Sequence, residues 1–225
     1  MLLITGTDDW QAAHPGAAIG LLEVSGVEKV AVSARLDERK REIESRLRER
    51  YAGYTRPDFL SLPVMAAYER YYHRFEKTYH VLQQVESIVL KGKNLPNVSP
   101  LVDANFMAEV DTLVLTASHD ADKLQGEIRM DVARVGDQLT QMSGALKAVL
   151  VGDMLMRDAH GVCCSIIYGQ DNISPLKPES THALYVAYAP AGVPAAQIHE
   201  HLQRIWENIQ LFSPGALLGQ NRLLP

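Results

Sequence analysis

The sequence predicts an α+β fold in which a helical N-terminal half packs on a mixed or antiparallel β-sheet. Between Ser33 and Leu115, apolar residues recur at helical spacing inside charged or aromatic segments. From Gly126 the period shortens to alternation, in brief runs separated by Gly, Asp, Asn and Pro turns. The two patterns are segregated along the chain, which favours α+β over a regular βαβ order.

Taken in order, Ala17–Val24 is a short apolar run after Pro15-Gly16 and reads as a buried strand. Ser33–Tyr51 reads as a helix with Leu36, Ile43 and Leu47 as its apolar stripe. Its basic residues (Arg39, Lys40, Arg41, Arg46, Arg48, Arg50) alternate with acidic ones, the pattern of a solvated face laced with ion pairs. This helix should stop by Gly53. Pro63–Glu76 and Tyr79–Leu90 read as two further helices, and Tyr68, Tyr71, Tyr72 and Phe75 form a stripe that reads as core. Lys91-Gly92 closes the second of them. Val102–Leu115 is the next helix, entered after Ser99-Pro100. Strands are expected at Glu127–Ala133, Asp153–Arg157, Val162–Tyr168 and Ala183–Ala189. Pro194–Leu211 ends the pattern as an amphipathic helix with Ile198, Leu202, Ile205, Trp206 and Ile209 on one face.

The 225 residues read as a single domain over 1–225. No run approaches the roughly 20 apolar residues of a membrane helix. The start MLLITGTDDW has neither the basic opening nor the long apolar run of a secretion signal, so a cytoplasmic location and no membrane partner are expected. A net charge of −5 argues against nonspecific coating of nucleic acid, although a local patch could still meet a tRNA end. Cys163 and Cys164 are adjacent, unsuited to bridging each other or to zinc, and read as small core hydrophobes. His199 and His201, two apart on a helix, diverge and should not share a metal. The sequence carries no signal for oligomeric state.

Phosphate-cradling loops, dinucleotide fingerprints and nucleophile elbows are absent. Two polar clusters remain. The first joins Asp103 and Asn105, in the first turns of a helix, to His119-Asp120-Ala121-Asp122-Lys123 after its end, where Asp122 could orient His119 through a ring nitrogen. The same residues also suit caps and turns. The second is Tyr168-Gly169-Gln170-Asp171 at a strand exit, where Gly169 permits a positive φ and a close ligand approach.

Both clusters resemble the editing domain of the bacterial phenylalanyl-tRNA synthetase beta subunit. Ser99-Pro100-Leu101-Val102-Asp103 is similar to the Asn-Pro-Val-Val-Asp run that opens that family's pocket helix. His119-Asp120-Ala121-Asp122-Lys123 is similar to its His-Ala-Phe-Asp-Lys segment, and Ile166-Ile167-Tyr168-Gly169 to its Gly-Ile-Met-Gly strand end. Free-standing members of the superfamily are more similar still, through Pro15-Gly16-Ala17, Phe75-Glu76-Lys77-Thr78-Tyr79, Glu86-Ser87 and Tyr188-Ala189-Pro190. The sequence departs from the family where Ala187 aligns with a glutamate that recognises the tyrosine hydroxyl, and where an expected arginine aligns near Pro96. Tyrosine recognition of the synthetase kind is therefore not implied.

The resemblance implies hydrolysis in trans of the ester joining a tRNA acceptor end to a wrong amino acid, with no metal or other cofactor. His119 and Asp122 would be catalytic; Asp103, Asn105, Tyr168, Gly169, Gln170 and Asp171 would bind substrate. Arg74, Glu86 and Arg129 are further candidates for polar contacts. The alternative is a non-catalytic protein that holds a free amino acid or a related metabolite.

Overall fold

The structure is a computed structural model and describes residues 2–224. In chain order its elements are β1 (Ile4–Gly6), α1 (Asp8–Ala13), β2 (Ala18–Ser25), α2 (Ala34–Arg50), α3 (Arg56–Ser61), α4 (Pro63–His73), α5 (His80–Val89) and α6 (Pro100–Thr112). There follow β3 (Thr116–Asp120), β4 (Ile128–Val132), β5 (Gln138–Thr140), β6 (Leu146–Ala148), β7 (Met154–Asp158), β8 (Gly161–Ser165), β9 (Gly169–Gln170), β10 (Ala183–Ala189), α7 (Ala195–Gln210) and β11 (Leu217–Leu224).

The α+β prediction holds, with the strands divided between two larger sheets. One is mixed, in the order β1-β4-β7-β8-β9, with β1 parallel to β4 and the other pairs antiparallel. The other is antiparallel, in the order β11-β2-β10-β3. β5 and β6 make a separate hairpin. β10 lies between β2 and β3, and all seven of its residues are buried, which explains its near-continuous apolar sequence. β11 seals the far edge of β2, pairing from Leu217↔Ser25 to Leu224↔Ile19. No helix among the described residues is long and apolar enough to cross a membrane.

The expected helices form because caps and packing agree with their periodicity. The Ser33 side chain accepts the Leu36 N–H at the start of α2, and Leu36, Ile43 and Leu47 are buried. Some of the α2 charges pair, Arg39 with Glu42 and Arg41 with Glu44 within the helix and Arg46 with Asp111 on α6, but Glu44 is buried and accepts the Leu95 N–H instead of lying on a solvated face. Lys40 also departs from that pattern. It is 1% exposed, and its Nζ reaches Asp103 Oδ2 at 2.6 Å, Asn97 Oδ1 at 2.6 Å and the Pro96 carbonyl at 3.2 Å.

The tyrosine stripe is core, and its hydroxyls join layers. Tyr68 stacks on Tyr79 at 4.2 Å between ring centroids. Its hydroxyl donates to the Tyr188 carbonyl on β10 at 2.7 Å and accepts the Leu115 N–H at 2.9 Å. Tyr79 donates to the carbonyl of Leu113, the left-handed residue that ends α6, and Tyr185 to that of Leu101. These contacts hold α6 against β10 and β3.

Candidate functional site

A cleft of about 450 Å³ opens where α5 and α6 face the start of β3 and the corner between β8 and β9. Phe106, Leu115, Ile166, Tyr168 and Tyr188 supply an apolar wall, and Gln84, Glu109, Thr116, Gln141 and Gln170 supply polar groups. The volume falls within the roughly 300–1,000 Å³ usual for small-molecule sites. One lining atom, Gln84 Oε1, is buried and finds no hydrogen-bond partner, and the buried Tyr188 hydroxyl has only the weakly bonding Cys164 thiol beside it. Buried polar atoms are nearly always paired, so such atoms at a cleft wall mark positions a ligand can satisfy.

Glu109 is the electrostatic centre of this cleft. It projects from α6, is 2% exposed, and its Oε1 accepts the Thr116 N–H at 2.8 Å. Burial pushes its pKa up to about 8, only partly offset by the Thr116 N–H and the neighbouring Asn105 amide. The side chain is thus mostly a neutral acid at pH 7, able to donate its proton in a hydrogen bond.

The Tyr168–Gly169 corner is built from below by Asp153. This buried carboxylate accepts from Tyr71 at 2.6 Å, from the Ser165 hydroxyl, and from the Ile167 N–H at 3.3 Å; burial raises its pKa to about 6. Ser165 Oγ in turn accepts the Tyr168 N–H, and Gln141 Nε2 donates to the Tyr168 carbonyl. Gly169 then takes φ = 82°, a turn open to glycine without strain, and places Gln170 so that its amide donates to the Ser118 carbonyl on β3. Because the chain turns here, β8 ends at Ser165, short of the expected Tyr168. Cys164 also lines the cleft, but burial holds its thiol up at about 12, so it stays protonated. Cys163 and Cys164 are both buried and free, as expected of core residues.

The structure brings Tyr168, Gly169 and Gln170 to the cleft and keeps the other candidates away from its wall. His119 lies on β3, a strand where only a segment following a helix had been expected, and it is fully buried. Its Nδ1 lies 2.7 Å from Ser174 Oγ, which donates to Asp171 Oδ1 at 2.7 Å; the ring therefore donates from Nδ1 and leaves Nε2 bare. Burial lowers the His119 pKa to about 3. Asp122 does not orient it. Asp122 instead meets Nδ1 of His182 at 2.8 Å, whose Nε2 lies 2.9 Å from Glu23. Burial disfavours the charged form of His182, but these carboxylates outweigh it and hold its pKa above the usual value.

Asp171 serves Ser174, and Asp103 serves Lys40 and the Val98 N–H, so both act within the fold. Asn105 stands behind Glu109, with Nδ2 3.4 Å from the Thr116 carbonyl. Glu86 pairs with Arg56 and Arg129 with Glu127, while Arg74 lines a different, smaller cleft. His201 is buried between the Thr112 and Thr116 hydroxyls, and His199 is exposed. Among the described residues, no group of three or more His, Cys, Asp or Glu side chains could hold a metal.

Sequence reasoning missed Glu109, Gln84 and Thr116. Glu109 had a signal: it follows Asn105 by four residues, one helical turn, inside an otherwise apolar stretch that no solvated face explains.

No family model matches the chain, and no curated protein matches it. A solved structure that does is the crystal structure of an N-terminal fragment of the phenylalanyl-tRNA synthetase beta-subunit from Pyrococcus horikoshii. The match covers 100% of this chain and 54% of that one, with a TM-score of 0.49 and 8% sequence identity. The chain thus spans about half the length of that fragment.

Proposed function

We propose that the cleft beside Glu109 takes an aminoacyl group and hydrolyses the ester joining it to a tRNA acceptor end. The observation that carries this reading is a neutral, buried carboxylic acid in the wall of a cleft of amino-acid size. An aminoacyl ester is already activated, so the protein needs chiefly to position it and water. The protonated Glu109 donates a hydrogen bond to the ester carbonyl oxygen, where negative charge develops on attack by water. The Tyr188 hydroxyl and Gln84 Oε1 meet polar groups of the aminoacyl moiety, and Phe106 and Ile166 its side chain. His119 and Asp122 take no part.

Mischarged tRNAs incubated with the protein test this. Deacylation should exceed the buffer rate, fall about 10²–10³-fold in Glu109→Ala, and decline in the wild type as pH rises through about 8. Glu109→Gln keeps a donor and should lose that pH limb. Deacylation no faster than buffer excludes the activity; an unaltered Glu109→Ala excludes the role of Glu109.

The burial of His119 outside the cleft and the protonated Cys164 thiol in its wall favour a second reading; the imidazole that does line the cleft is that of His80. In that case the cleft holds a free amino acid or related metabolite without chemistry. Thermal shift against an amino-acid panel, combined with the deacylation assay, separates the two, since a ligand of the native state raises its stability.

A further inference from the structure

A second cleft, of about 180 Å³, lies between the end of α1, one face of α4 and the residues that follow β10. It shares no lining residue with the larger cleft. Arg70 and Arg74 line it from α4, four residues apart and so on one helical face. His14, the residue that ends α1, lines it from the other side, with its ring 5.9 Å from that of Tyr71.

The charge arrangement is what sets this cleft apart. Among the described residues no carboxylate lines it, although the chain is acidic overall. Neither arginine belongs to any ion pair among the described residues. Arg74 rests instead over the rings of Tyr71 and Phe75, 5.5 and 5.4 Å from their centroids. Arg70 reaches the Ala191 carbonyl at 3.4 Å, and its Nη2 lies 2.7 Å from where a side chain on Gly192 would begin, so the glycine leaves it room. Two like charges one turn apart repel each other, and no ion pair among the described residues offsets that repulsion. His14 is only 7% exposed, and its Nε2 is buried without a partner. Burial, with Arg74 nearby, lowers its pKa to about 4, so the ring is neutral and has one N–H to give.

We propose that this cleft is a phosphoryl-binding site, with Arg70 and Arg74 holding two oxygens of the group and His14 Nε2–H meeting a third. Guanidinium forks match phosphate oxygens in geometry and charge, and an anion between the two arginines removes their repulsion. A tetrahedral group with several terminal oxygens suits donors arriving from two sides better than a planar carboxylate does. The cleft is too small for a whole drug-sized ligand, which commonly needs roughly 300 Å³ or more, so it takes the phosphoryl end of something larger. That group belongs to a free phosphate monoester or to a nucleic-acid backbone.

Titration of the protein with inorganic phosphate, followed through the His14 imidazole resonances, tests the assignment. Phosphate should shift them saturably, and acetate at equal ionic strength should not. Arg70→Ala/Arg74→Ala should weaken phosphate binding at least tenfold with the thermal midpoint retained, because both side chains are exposed. His14→Gln, which keeps a donor, should weaken it less. Competition with a nucleoside monophosphate and with uncharged tRNA then names the source: displacement by the first assigns a free monoester, and displacement by tRNA alone assigns a backbone phosphate. Absence of a saturable shift, an equal response to acetate, an unaffected double variant or displacement by neither competitor overturns the proposal. The deacylation assay is independent of these readouts.

Discussion

Replacing Lys40 by Met should destabilise the fold severely without touching the larger cleft. In the structure all three ammonium protons have acceptors, on Pro96, Asn97 and Asp103. Lys40 and Asp103 side chains are 1% and 7% exposed. Methionine fills much the same volume but strands the Asp103 carboxylate with the Val98 N–H as its one remaining donor at hydrogen-bond distance. Removing one member of a buried pair costs about 3–5 kcal/mol, most of it the burial of the charge left behind. For a chain of this length each kcal/mol moves the thermal midpoint by about 2–4 °C, so a fall of about 6–20 °C is expected. Asp103→Asn keeps the shape and two other acceptors for Lys40, and should cost less, about 1.5–3 kcal/mol. Urea unfolding at constant m measures both. A loss below about 1 kcal/mol in Lys40→Met would refute the pairing. So would an Asp103→Asn protein of unchanged stability whose only defect is weaker ligand binding, since that would return Asp103 to the substrate-binding role its sequence suggested.

Three other outcomes are expected. Glu109 keeps its proton in the folded protein up to about pH 8 but only to about 4.5 when unfolded, so its contribution to stability declines as pH rises between those values. The decline is at most about 5 kcal/mol, and Glu109→Gln should flatten it in urea midpoints taken across that range; an unchanged slope would show an ionised side chain. His119 and His201, held neutral by burial down to about pH 3, act in the opposite sense. The unfolded chain takes up protons first, so stability should fall as pH drops below about 6.5, and His201→Gln should reduce that fall; equal acid sensitivity in the variant would count against it. Tyr68→Phe leaves the Leu115 N–H and the Tyr188 carbonyl without their partner and should cost about 2–3 kcal/mol by urea unfolding, whereas a cost below 0.5 would imply that water replaces the hydroxyl.

What the sequence disclosed was periodic. The spacing of Leu36, Ile43 and Leu47 located α2, and the apolar run Ala183–Ala189 located β10 to the residue. Elements too short to repeat their period more than once left no such mark: α3 has six residues and β9 two. β11 was missed for another reason, because Gly219 and the polar Gln220-Asn221-Arg222 interrupt it and half its residues face solvent or nearly so. The site was legible at its glycine corner, where Gly169 is required by backbone geometry that local sequence can announce. Polar type alone misled elsewhere. His119, Asp171 and Ser174 form a hydrogen-bonded chain within the interior, and Asp122 meets a histidine contributed by a distant strand boundary. Lys40 looked like one more member of a solvated run because nothing within α2 records what packs over it. Pairing across the tertiary fold decides these cases, and it has no local signature.

The ladder between β11 and β2 sets an order of events during synthesis. β2 finds β10 as one neighbour, but its other edge waits for residues 217–224, which leave the ribosome after every other element described. Until then that edge offers unpaired N–H and carbonyl groups on an almost wholly buried, apolar strand, a template for joining another nascent chain. Expression with a shortened C-terminus, or with a bulky fusion crowding those residues, should therefore shift yield from soluble protein to inclusion bodies even though neither cleft loses a single lining residue.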